Sequence, residues 1–146
     1  MVKFIVICTF VFGILISGCA SLKETSKCVL GVSTKVLEDT RDGAIKRDFN
    51  QDYSSCYTTI KKALSITEAY IYKEEPAKNL IAIYISEQDT TPVGIFLTKI
   101  NEKNTQIEVS SPSTYAKELI SKRIFDALEG KPILPPEKGE NEESIF

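Results

Sequence analysis

Hydrophobic positions along this chain change their spacing repeatedly, and each change marks a different segment. From Phe4 to Ile16 the chain is apolar for thirteen residues, interrupted only by Thr9 and Gly13. Such a run is shorter than the ~20 residues a membrane-spanning helix needs. Between Leu22 and Thr40, Val29, Val32, Val36 and Leu37 recur at helical spacing among Lys23, Lys27, Lys35, Glu38 and Asp39. Gly31 and Ser33 interrupt that pattern, so a helix and a flexible tether both fit it. Arg41-Asp42-Gly43 reads as a stop.

From Ala44 onward the periods alternate between helix and strand. Ala44 to Phe49 predicts a strand with Ile45 and Phe49 on one face. Asn50 or Asp52 can cap the helix that follows. Tyr53, Cys56, Ile60, Ala63 and Leu64 form that helix's apolar stripe, with Lys61 and Lys62 turned outward, up to Ser65 or Thr67. Strand-like runs follow at Tyr70–Lys73, Leu80–Ile85, Val93–Ile100 and Thr105–Ser110. They are separated by Glu74-Glu75-Pro76, by a polar loop from Ser86 to Pro92, and by Asn101-Glu102-Lys103-Asn104, which has turn chemistry. In the last strand Ile107 and Val109 point inward, and Gln106 and Glu108 outward. Ser111-Pro112-Ser113 announces a final helix, with Pro tolerated at its first position. Ala116, Leu119, Ile120, Ile124, Ala127 and Leu128 form its buried stripe, and Gly130 and Pro132 end it. The tail, 131–146, is rich in Pro and Glu and predicts disorder.

This order, β-α-β-β-β-β-α, predicts an α+β two-layer sandwich: a five-stranded antiparallel sheet with two helices on one face. The domain organisation is then a leader at 1–18, a tether at 19–43, the α+β domain at 44–130 and the tail at 131–146. If Ile71, Ile81, Ile83 and Ile85 face the helices, Tyr70, Tyr72, Leu80 and Tyr84 fall on the other face. Left open, that face is an aromatic patch and a candidate partner surface. A plain alternative is that Tyr is common on exposed strand positions.

Composition removes several functions. The leader holds Lys3 and no acidic residue, so the remainder carries 17 basic against 20 acidic groups, net −3. That balance argues against nucleic acid as a partner. The absence of His removes the Ser-His-Asp and Cys-His nucleophile arrangements and most zinc sites. Gly31, Gly43, Gly94 and Gly130 are isolated, so no phosphate loop is present. The adjacent pairs Glu74-Glu75 and Glu142-Glu143 read as solvated surface. No catalytic residue, metal or cofactor is expected. Cys28 and Cys56 leave two readings open. A bridge between them would close a loop of about 28 residues, worth ~3 kcal/mol; alternatively Cys56 is a small apolar residue on its helix's buried face.

The stretch Ile16-Ser17-Gly18-Cys19, placed directly after the apolar run and Lys3, resembles the lipobox of a bacterial lipoprotein signal peptide. The resemblance implies cleavage before Cys19 and acylation of that residue, hence a membrane partner held through acyl chains. Ala20 follows rather than Asp, which in that class implies the outer membrane, facing the periplasm. The segments Gly94-Ile95-Phe96-Leu97-Thr98 and Val109 to Lys117 are similar to a group of small uncharacterised bacterial lipoproteins. The element order resembles the BamC-like, TBP-like or helix-grip arrangement. The likeness to that uncharacterised group implies a lipoprotein of unknown role. With the open aromatic face, the expected function is a non-catalytic accessory protein of the cell envelope that binds another envelope protein; a small-ligand or lipid-binding module with a cavity between sheet and helices is the alternative.

Overall fold

A computed structural model of the protein describes residues 33–133 and 135. The leader, Cys19, Cys28 and the tail from 136 onward lie outside the described residues. Within them the order is α1 (Thr34–Asp39), a 3-10 turn (Arg41–Gly43), β1 (Ile45–Phe49), α2 (Tyr53–Ile66), β2 (Tyr70–Glu75), a second 3-10 turn (Pro76–Lys78), β3 (Leu80–Tyr84), β4 (Pro92–Lys99), β5 (Thr105–Ser110) and α3 (Thr114–Leu128). The five strands form one sheet in the order β1-β5-β4-β3-β2, antiparallel throughout. The fold is α+β, as the sequence pattern predicts.

The α2 and α3 stripes pack on one face. Cys56, Ile60 and Leu64 from α2 meet Ile120, Ile124, Phe125 and Leu128 from α3 over Ile81, Ile83, Ile95, Leu97, Ile107 and Val109. Local chemistry fixes both helix ends. The Asp52 carboxylate accepts from Ser55 N at 3.0 Å, and the Ser113 hydroxyl accepts from Ala116 N at 3.3 Å. Each leaves one donor fewer unsatisfied in its first turn. Pro112 therefore precedes the cap instead of opening the helix.

Both helices close with the same pair of reverse hydrogen bonds. Ala69 N reaches Leu64 O and Glu68 N reaches Ser65 O after α2; Lys131 N reaches Asp126 O and Gly130 N reaches Ala127 O after α3. This closure requires a left-handed residue. Gly130 supplies it at φ 75°, but after α2 the position is held by Glu68 at φ 58°.

The sequence pattern left the sheet's second face open, and in the structure it is partly covered. α1 lies across it, so the folded unit begins at Thr34, ahead of the boundary at Ala44. Leu37 is fully buried there against Leu80, Ala82 and Phe96, with Tyr72 packed beside them. Double coverage explains why Leu80 to Tyr84 is apolar without alternation, as in strands buried on both faces. It also corrects the placement of Glu108, which points away from α2 and α3 as expected but is only 4% exposed. Its carboxylate takes Arg41 Nε at 3.0 Å and Arg41 Nη2 at 2.9 Å, with Lys46 at 3.6 Å. The Arg41 guanidinium lies 4.2 Å from the Phe96 ring centroid.

Two substitutions test this account. Glu68→Gly should stabilise the domain by about 1 kcal/mol by relieving the left-handed backbone. Gly94→Ala should destabilise it by roughly 1–3 kcal/mol, because a Cβ there would sit 3.0 Å from Leu37 Cβ and 3.1 Å from both the Phe96 ring and Ser110 Oγ. Urea midpoints of the purified variants read both; a stable Gly94→Ala protein would mean that α1 does not need that close approach.

Candidate functional site

The tyrosines singled out above come together at the β2–β3 edge of the second face. Tyr70 and Tyr84 are direct partners across the ladder. Their rings stack with centroids 6.2 Å apart and planes 8° apart. Tyr84 in turn stacks on Tyr72 at 4.4 Å and 22°. The result is a three-ring ladder with Tyr84 in the middle. Tyr70, at the outer end, is 49% exposed. Leu80, the fourth member of the expected patch, is not surface: it is 2% exposed beneath Leu37. The patch is thus aromatic and confined to the sheet edge, because α1 covers the aliphatic part.

A β-bulge gives the ladder its shape. Ile71 pairs with Ile83 and Lys73 with Ala82, leaving Tyr72 as the extra residue. An added residue reverses which face every later side chain takes. Glu74 consequently reaches α2, where Tyr57 and Lys61 hydrogen-bond its carboxylate. Glu75 reaches α1, where Thr34 Oγ1 donates to it at 3.0 Å, alongside Lys78 at 3.0 Å and Lys73. The bonds from Lys73, Lys78 and Thr34 pull the Glu75 carboxyl down to about 2, from an ordinary 4.5. The Glu74 carboxyl is also lowered, chiefly by Lys61. The Glu74 bond holds the Tyr57 phenol up at about 12.

The Tyr72 hydroxyl is buried without a hydrogen-bond partner among the described residues. Burial is the main cause of its phenol being pushed up to about 12.

Two clefts flank α2. At its start, Tyr53, Tyr57, Glu74, Pro76, Asn79, Leu80 and Ile81 line an apolar cleft of about 200 Å³. Tyr53 and Tyr57 stack 6.4 Å apart, and Tyr53 OH donates to Asn79 Oδ1 at 3.2 Å. At its end, Ser65, Glu68, Ala69, Tyr70, Ser86, Glu87 and Gln88 line a polar cleft of about 460 Å³. Sequence reading missed both. The i, i+4 pair Tyr53 and Tyr57 was a usable signal for the first. The second joins a helix end to a loop twenty residues further on, and no local pattern reveals that.

Cys56 is a free thiol at zero exposure, its sulfur 3.9 Å from Gln51 O. Burial pushes its pKa up and keeps it protonated. It fills the core on the inner face of α2; Cys28, the other half of the possible bridge, and Cys19 lie outside the described residues. Among the described residues no group of three or more His, Cys, Asp or Glu could hold a metal ion, and no helix is long and apolar enough to cross a membrane.

What these features define is a small α+β domain with a filled core and an aromatic edge. The chain belongs to DUF3568, a family described as proteins of unknown function, whose profile matches residues 1–129. That match starts at Met1 and so takes in residues 1–18 and Cys19 as well as the domain. No curated protein matches the chain.

Two measurements probe this edge. Tyr72→Phe should stabilise the domain by about 1 kcal/mol, since it removes a buried hydroxyl that lacks a partner; a loss of stability would show that the hydroxyl is satisfied in solution. The Glu75 carboxyl is lower in the folded chain than in the unfolded one. Its contribution is therefore complete above pH ~4.5 and fades as pH falls toward ~2. Glu75→Gln should flatten the stability profile over that window, and an unchanged acid limb would remove Glu75 from the α1 contact.

Proposed function

We propose that this protein is a membrane-anchored bacterial lipoprotein, non-catalytic, that holds its domain close to the bilayer and binds another protein of the envelope through the β2–β3 edge. The observation that carries the binding half is the Tyr70–Tyr84–Tyr72 ladder with its half-exposed outer ring. Stacked, pre-ordered aromatic rings lose little conformational entropy on binding, which is why Tyr is enriched at interfaces. The anchoring half rests on the leader pattern and on Cys19 following Ser17-Gly18. Ala20 favours the outer membrane, facing the periplasm. Fully extended, the chain from Cys19 to Thr34 spans at most about 50 Å, so the domain would work within that distance of the lipid.

The second reading is a small-ligand or lipid-binding module, and volume weighs against a cavity between sheet and helices. The sheet-facing helix residues that would have to leave a cavity, including Ile60, Leu64, Ile120 and Leu128, are all buried in one core with the strand residues. The apolar cleft of about 200 Å³ is smaller than the ~300–1,000 Å³ usual for ligand pockets.

Two variants separate the halves of the proposal. Cys19→Ser should abolish incorporation of labelled palmitate and move the protein from the membrane to the soluble fraction; retention in the membrane would defeat the lipid anchor. Tyr70→Ala/Tyr84→Ala should keep the anchor but lose a partner that crosslinks stoichiometrically to the wild-type protein in its own membranes. Undiminished capture by the double variant would move the interface elsewhere.

A further inference from the structure

The polar cleft beside Tyr70 adds chemistry that the ladder alone does not have. Its walls come from three places: the end of α2 and the turn after it (Ser65, Glu68, Ala69), the start of β2 (Tyr70), and the β3–β4 loop (Ser86, Glu87, Gln88). Two carboxylates and a tyrosine face the same space, and no Lys or Arg lines it. Among the described residues neither Glu68 nor Glu87 forms an ion pair. By contrast Glu74, which lines the cleft at the other end of α2, is held by Lys61, and Glu75, Glu108 and Glu129 are each held by one or more cations. At about 460 Å³ the cleft falls within the range of binding sites. The chain enters the domain at Thr34, bonded to Glu75 at one end of β2. The cleft lies at the other end, where Tyr70 begins the strand.

We propose that this cleft takes a lysine or arginine side chain from an exposed segment of the partner protein. The inference rests on the interaction reading above and specifies the chemistry of its partner. Tyr84 covers one face of the Tyr70 ring, leaving the half-exposed remainder to the incomer. An aromatic face carries negative potential and attracts a cation within about 6 Å. The two carboxylates add charge complementarity and supply acceptors that an ammonium or guanidinium can fill. The same groups repel an anionic ligand, and Ser65, Ser86 and Gln88 give a neutral apolar one little to bind.

The test titrates the full-length lipidated protein in detergent with an acetylated hexa-arginine amide, using a hexaglutamate peptide as the control. The chain has no Trp, so tyrosine fluorescence reports directly. Hexa-arginine should bind and hexaglutamate should not. Glu68→Gln/Glu87→Gln should weaken binding about tenfold and Tyr70→Leu about fivefold. Glu118→Gln, which removes an exposed charge from α3, should leave it unchanged. Equal loss with Glu118→Gln, or no binding by the wild type, overturns the cleft. A second arm keeps this result separate from the interaction reading. A partner crosslinked in native membranes, lost with Tyr70→Ala/Tyr84→Ala but retained by Glu68→Gln/Glu87→Gln, overturns the cationic cleft and leaves the interface standing. Loss in both variants, with a photocrosslink from position 88 mapped to a Lys- or Arg-bearing segment, supports it.

Discussion

The close approach of Leu37 to Gly94 governs how the first ordered segment joins the domain. A six-residue helix cannot hold itself together in water, since nucleation costs more than one turn returns. α1 exists because the sheet gives it a seat. That seat is shallow: Ala82 and Gly94 carry almost no side chain, and Leu37 fills the space above them. Polar contacts then fix the helix from both ends. Thr34 donates to Glu75, Lys78 pairs with Glu38 at 2.6 Å, and Ser110 Oγ donates to Leu37 O at 2.8 Å. Just beyond the helix, Arg41 spans Phe96 and Glu108. On the proposed anchoring, force carried along the chain from Cys19 meets this set of contacts before it meets the core.

The bulge at Tyr72 has two consequences with one cause. By shifting the register it gives Glu74 to α2 and Glu75 to α1, so a single extra residue ties the edge strand to both layers. It also spoils β2 as a template for further pairing. Edge strands are commonly protected by bulges and by Lys, and β2 has both at adjacent positions. β1, the other edge, carries Lys46, Arg47 and Asp48 in a strand of five residues. Strand addition at either edge is therefore poorly favoured, and on the proposed function partner binding would fall to the ring ladder and the cleft beside it.

The sequence carried the framework legibly because long periodic segments leave few alternatives. The α2 stripe, the alternation in β5 and the Gly130 stop appear in the structure almost residue for residue. What it hid depended on contacts distant in sequence. The spacing of Val36 and Leu37 allowed a helix, but of the two only Leu37 is buried, and a single buried residue does not show that the helix packs on the sheet. The unbroken apolar run in β3 was itself a sign of burial on both faces, but a one-sided reading sent Leu80 to the surface. Tyr70, Tyr72 and Tyr84 do share a face, although the ladder's closure depends on a bulge that no propensity marks. The polar cleft needed the β3–β4 loop folded against the end of α2, and polar loops carry no period at all.

The two clefts at the ends of α2 differ in what they can still offer. In the first, Glu74 already receives Tyr57 and Lys61, and Tyr53 is committed to Asn79. A newcomer there would replace bonds already made, and such an exchange contributes little net free energy. In the second, Glu68 and Glu87 face solvent and keep their full capacity to accept. Glu68 also occupies a backbone conformation that Gly would adopt with less strain, so the position carries a carboxylate where the local geometry favours no side chain. The energetics therefore separate the sites more sharply than their size does. The first cleft is part of what holds the edge strand to the helix layer, and the second is where a cation would find acceptors not already used by the fold.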